Sequence, residues 1–142
     1  MSSERCAVVG VGMTKMSKCR DDVSMAGLVR EAATRALEDA EMTWADVEAV
    51  VIGTAPDIFE GVMMPELYLA DALGAALGLG DDVVINPSGG ALVANPVMAT
   101  GLVRIGEAFN QVHDHGRSRV LGHASSGPCL QQNLVCVLEG RS

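Results

Sequence analysis

Two short apolar runs bracket a stretch of helical period, and that alternation constrains the fold of this chain more than any other feature. CAVVGVGMT at residues 6–14 is β-rich and ends in glycines, the pattern of a buried strand leaving through a turn. Residues 23–42, VSMAGLVREAATRALEDAEM, set Leu28, Ala32, Ala36, Leu37 and Ala40 on one side and Arg30, Glu31, Arg35, Glu38 and Asp39 elsewhere, which predicts an amphipathic helix. A turn at Thr43 then leads into a second strand over 47–53. Strand, helix and strand make a βαβ unit, whose crossover is expected to be right-handed.

The same alternation continues. PELYLADALGAAL at 65–77 predicts a second helix, with Pro65 in its first turn and Gly78 and Gly80 stopping it. Residues 83–86 predict strand three, and a third helix runs from about 96 to 112, weakened modestly by Gly101 and Gly106. RVLGHAS at 119–125 and LVCVLEG at 134–140 predict strands four and five around the turn-rich SSGPCLQQN. The order βαβαβαββ, without linkers or repeats, is that of a single α/β domain spanning residues 1–142.

Composition narrows the function classes. A chain of 142 residues, 49% hydrophobic, buries roughly two thirds of its unfolded surface and needs no staples. A net charge of −8 argues against a sequence-independent grip on nucleic acid, and 3% aromatic content against stacking platforms for single strands. The cysteines, Cys6, Cys19, Cys129 and Cys136, form no CxxC pair and no finger-like spacing with the histidines. Neither a structural metal site nor a disulfide framework is expected, and a reducing cytoplasm is the default. No signal peptide is apparent, and no apolar run is long enough to span a membrane.

NPSGGALVANP, residues 86–96, follows the apolar Val83-Val84-Ile85 and precedes the third helix. Together with CAVVGVGMT, AATRALEDAEM and VEAVVIGT near the start, and RIGEAFNQV and SGPCLQQNLVCVLEG near the end, it resembles the thiolase family. The resemblance is to the lipid-transfer-protein, or sterol-carrier, type of acyl-CoA thiolase. Residues 1–76 resemble the start of that family's first half and 77–142 the end of its second, with the middle missing. The resemblance implies one hybrid half lobe, a mixed five-stranded sheet in the order 3-2-1-4-5 with strand five antiparallel. It also implies exposed apolar surface, and with it a homo-oligomer or association with a full-length thiolase subunit.

The same resemblance sets the chemical expectations: no bound cofactor, and a coenzyme A thioester as substrate. The segment that would carry the family's nucleophile has no counterpart here. The activating histidine belongs to a GHP sequence in the family, where this chain has Ala94-Asn95-Pro96. An amide does not titrate near neutral pH, so Asn95 is no base; it either donates a hydrogen bond to a carbonyl or caps the third helix. Cys129 stands about where the family carries its second, acid/base cysteine, in a CLQQN context rather than CxGGG. His123, six residues earlier, is either its base or a hydrogen-bonded structural residue.

Gly89 and Gly90 either let strand three pack closely on a helix or bring backbone up to the thioester. Arg117 and Arg119 are candidates for the coenzyme A phosphates, against the plainer reading of a solvated loop. Cys6 and Cys136 read as core, and His113 and His115 as a solvated helix end. Weak or absent activity of this chain alone is expected, with a non-catalytic partner subunit as the alternative.

Overall fold

The computed structural model describes residues 5–15, 17, 20–53, 79, 82–87, 99–126 and 132–141. Its elements are β1 (Arg5–Met13), α1 (Met25–Asp39), a single 3-10 turn (Trp44–Asp46), β2 (Ala49–Gly53), β3 (Val84–Ile85), α2 (Thr100–His113), β4 (Arg119–Ser126) and β5 (Gln132–Arg141). The second helix expected over 65–77 lies outside the described residues. Among the described residues no helix is long and apolar enough to cross a membrane.

The five strands form one mixed sheet in the order β1-β5-β4-β2-β3. β5 is antiparallel to both of its neighbours, β1 and β4, while β4, β2 and β3 pair in parallel. The α/β class and the antiparallel fifth strand are as expected, but the order 3-2-1-4-5 is not. Strands one and four are not neighbours, because β5 lies between them and β1 takes the edge. The adjacency of strands one and four that the expected order requires is therefore absent, while all five strands share one sheet.

The cause is visible in side-chain burial. Val135, Cys136, Val137 and Leu138 are all buried, so β5 needs cover on both faces and takes a central place. β1 is covered on one face only. Its Gly10 and Gly12 lie under α1, where an added Cβ would run into backbone atoms of Ala36 and of Ala32 and Ala36 respectively. These glycines and the alanines of α1 bring helix and strand into close contact. On the opposite face Val8 and Val11 are each 52% exposed.

α1 starts where Ser24 accepts a hydrogen bond from the Gly27 amide, satisfying a donor of the first turn. Its buried stripe, Val29, Ala32, Ala33, Ala36 and Leu37, packs with Val50, Ile52, Leu121, Val135 and Val137 on one face of the sheet. α2 covers the other, where Ala108 and Val112 meet Ala49, Val51, Val120, Cys136 and Leu138. Strand residues thus alternate between two helical layers, and each large aliphatic side chain so buried contributes about 1.5–3 kcal/mol.

α1 also closes the free edge of β1. Asp39 accepts from the Val11 amide at 3.0 Å, Arg35 donates to the Met13 carbonyl at 2.6 Å, and Glu31 accepts from the Lys15 amide at 3.3 Å. Four helical residues rise about 6 Å and two strand residues about 6.7 Å, so one ridge of α1 keeps step with alternate residues of β1. At the other edge, Asn86 continues the pairing beyond β3. Its amide donates to the Val50 carbonyl and its Oδ1 accepts from the Ile52 amide, with φ at +47°.

Candidate functional site

The parallel strands β2, β3 and β4 end on one side of the sheet, at Gly53, Ile85 and Ser126, and Thr14 follows β1 at the same side. That is the side on which open α/β sheets bind ligands. His123 is 2% exposed there, on the α1 face of β4. Its Nε2 lies 2.9 Å from Oδ1 of Asn133 on β5. Asn133 is fixed in turn: its amide donates to Thr14 Oγ1, and the Thr14 amide donates to the Asn133 carbonyl, both at 3.0 Å. Three strands are thereby tied through one buried polar cluster.

The geometry fixes the proton on the imidazole. An amide oxygen only accepts, so Nε2 carries the hydrogen and Nδ1 presents a lone pair. Burial pushes the His123 pKa down to about 4, against a smaller opposing effect from Asn133, so the ring is neutral at pH 7. Among the described residues Nδ1 has no hydrogen-bond partner, and neither does the buried Oγ of Ser125 two residues on. The imidazole is thus neutral, oriented by Asn133 and presents the Nδ1 lone pair, and burial makes that nitrogen a weaker base than a free histidine.

Of the residues singled out from the sequence, the structure brings His123 to this side and places the arginines elsewhere. Arg119 opens β4, about 13 Å from His123 by strand rise, and Arg117 lies two residues before the strand. Arg119 is held by Glu139 at 3.2 Å and Asp46 at 3.6 Å. Arg117 lines a shallow depression that it shares with the carboxylates Glu107 and Asp114. Gly89, Gly90, Asn95 and Cys129 lie outside the described residues, as does Cys19.

Cys136 is buried in the α2-face core and Cys6 packs half-buried against it, both as free thiols. Burial pushes both thiols up, away from the reactive thiolate. His113 stacks on Phe109 with ring centroids 5.3 Å apart and contacts Asp114 at the exposed end of α2. No group of metal-binding side chains occurs among the described residues.

Asn133, Thr14 and Ser125 were not anticipated. The signal for two of them was present: inward positions of β5 run Asn133, Val135, Val137, and those of β4 run Leu121, His123, Ser125. Polar residues in the buried period of adjacent strands require partners, and these are within reach of one another.

No family model and no curated protein matches the sequence. Solved structures do match. AbyA1, a tetronic acid condensing enzyme, superposes with a TM-score of 0.68 at 14% identity, covering 95% of this chain and 52% of its own. The priming β-ketosynthase of the R1128 polyketide biosynthetic pathway gives 0.68 at 16%, covering 96% and 50%. The 3-oxoacyl-[acyl-carrier-protein] synthase III from Aquifex aeolicus VF5 gives 0.64 at 11%, covering 97% and 54%. The fold is thus thiolase-like, that of the condensing enzymes, and the chain spans about half the length of these structures.

Proposed function

We propose that this chain is a thiolase-like acyl-CoA C-acyltransferase lobe of the lipid-transfer type, a cytoplasmic protein with weak or no turnover on its own. The observation that carries this reading is the fold shared along almost the whole chain with enzymes that join acyl groups. A buried, oriented imidazole at the ligand side of the sheet supports it. In the proposal Cys129 is the nucleophile or proton donor and His123 its base. Asn95 and the backbone of Gly89 and Gly90 polarise the thioester carbonyl. Turnover is weak because Asn95 cannot take a proton.

Incubation with acetyl-CoA, or with acetoacetyl-CoA and CoA, followed by intact-mass measurement tests the reading. An acyl adduct that disappears in Cys129→Ser supports it; no adduct on any residue, with no thiolysis, removes the enzymatic part.

A non-catalytic partner subunit is the alternative, and one observation favours it. Val8, Val11 and Met13 of β1 and Leu134 of β5 are exposed on the α2 face. They continue the apolar stripe Leu102, Ile105, Phe109 and Val112 of α2, whose last member sits on Gly140 of β5. Contiguous apolar surface of this kind is normally covered. A dimer, or a complex with a full-length thiolase, that dissociates in Val11→Lys on a sizing column supports this role; a monomer that ignores such a thiolase excludes it.

A further inference from the structure

The outward residues of the two helices differ in kind. On α1 the exposed side chains described are Arg30, Arg35, Glu38 and Asp39, every one charged. On α2 the exposed residues are Leu102, Val103, Gly106, Phe109, Asn110 and His113, with no acid, lysine or arginine among them. A solvated helix face is normally charged or polar, and α1 conforms. Leu102 is 75% exposed and Phe109 40%, so the outer side of α2 is suited to contact with protein rather than water.

Gly106 sharpens that contrast. A Cβ there would meet nothing within 4 Å, so no contact inside the chain calls for a glycine, and glycine weakens a helix interior. A missing side chain on an exposed helix face does let a second backbone come close. Leu102 and Phe109 flank it, two turns apart on the same side.

The spacing is self-complementary. A twofold axis near Gly106 sets Leu102 of one α2 against Phe109 of an antiparallel second α2, and repeats the contact across the axis, as an isologous interface requires. Leu102 and Phe109, with the exposed Val8, Val11, Met13 and Leu134 beside them, leave roughly 500 Å² of apolar surface per copy, the apolar share of a homodimer patch of about 800 Å² per partner. Each copy carries a net charge of −8, and α2 is the helix on which two such chains meet without bringing like charges together.

We propose that the chain forms a twofold homodimer through antiparallel α2 helices, with Gly106 near the axis, Leu102 and Phe109 of each copy at the centre, and Val8, Val11 and Met13 of β1 at the rim. The inference rests on the face that favours the partner-subunit reading above and names its occupant, a second copy of this chain.

Sedimentation equilibrium of the intact protein tests this. The parent should sediment at twice the chain mass at micromolar concentration. Leu102→Glu should weaken dimerisation at least tenfold, since each copy would bury an unpaired charge at the centre. Gly106→Gln should also weaken it while leaving the helical circular-dichroism signal unchanged, because glutamine has room in the single copy and is a better helix former. Gly106→Cys should form an interchain disulfide under mild oxidation, beyond any seen in the parent, and Arg30→Cys on the charged side of α1 should not.

A monomer at that concentration, a dimer equally tight in Leu102→Glu and Gly106→Gln, or equal cross-linking of Gly106→Cys and Arg30→Cys overturns the inference. Capture of a full-length thiolase by a monomeric chain also overturns it and leaves the partner-subunit reading standing. A dimer lost in Gly106→Gln, together with an acyl adduct lost in Cys129→Ser, upholds the inference and removes the non-catalytic reading.

Discussion

The two faces of the β1–β5 pair are finished to different degrees. On the α1 face, glycines of the strand receive alanines of the helix, charged side chains close the strand edge, and Thr14, His123 and Asn133 tie three strands together. On the α2 face the same two strands leave Val8, Val11, Met13 and Leu134 exposed. Strand pairing alone therefore does not determine how well a strand is buried. The difference comes from side-chain size: a glycine admits a helix at close range, whereas a valine on the uncovered side waits for a neighbour.

The contrast is broken most severely at Gly12. Gly12→Val has no room against the backbone of Ala32 and Ala36, and overpacking of this kind is expected to cost about 3 kcal/mol or more. Val11→Ser, one residue away on the exposed face, should stay within about 0.5 kcal/mol of the parent in urea unfolding. Equal losses at the two positions would dissolve the distinction between the faces.

Acid probes the finished face alone, since the four bare residues do not titrate. His123 has a pKa near 4 when folded and an ordinary value of 6.5, so between these the unfolded chain binds the extra proton. Stability is therefore full above pH 6.5 and falls as pH drops towards 4, by up to about 3 kcal/mol. Arg20 holds the carboxyls of Asp22 and Glu31 below their usual range, and Thr43 does so for Asp46, so their losses come at lower pH. Unfolding curves should lose the upper step in His123→Gln; a step that persists would assign it to another group.

The smallest expected effects concern the strand edge. Arg35→Ala and Asp39→Ala each remove one hydrogen bond from exposed β1 backbone, about 0.5–1 kcal/mol. Hydrogen exchange at the Val11 amide should accelerate in Asp39→Ala and not in Arg35→Ala, whose bond is to a carbonyl. Identical acceleration in both would mean that the ridge acts only through packing.

Much of the fold was legible because local pattern carries it. The period of residues 23–42 placed Leu28, Ala32, Ala36 and Leu37 in the core, and the apolar runs placed β2, β4 and β5. The strand order was not, because it depends on which faces find cover. LVCVL is apolar at every position and so belongs in the middle of a sheet, whereas β1 alternates glycine with valine and tolerates an edge. The order 3-2-1-4-5 follows from the resemblance and not from these runs.

The site was legible in half. His123 stood out as a histidine at a strand end, but its tautomer is set by Asn133 on the next strand and by Thr14 at the opposite end of the chain. Such a contact has no local signature beyond a polar residue in an inward position. Arg117 and Arg119 offer only their charge as a signal, and the charge of Arg119 is met by Glu139 and Asp46.

The first and last strands of the chain pair with each other, Arg5 opposite Arg141 and Met13 opposite Leu134. That ladder closes a loop of about 120 residues, from Met13 to Leu134, and its entropic cost grows with the logarithm of loop length. The contact between β1 and α1 closes a loop of only about twenty residues, as from Gly12 to Ala32, and so carries an entropic penalty smaller by about 1.6 kcal/mol. β1 is thus attached by one local contact, to its own helix, and one distant pairing, to β5, so that losing the distant one leaves the strand still held along its other edge.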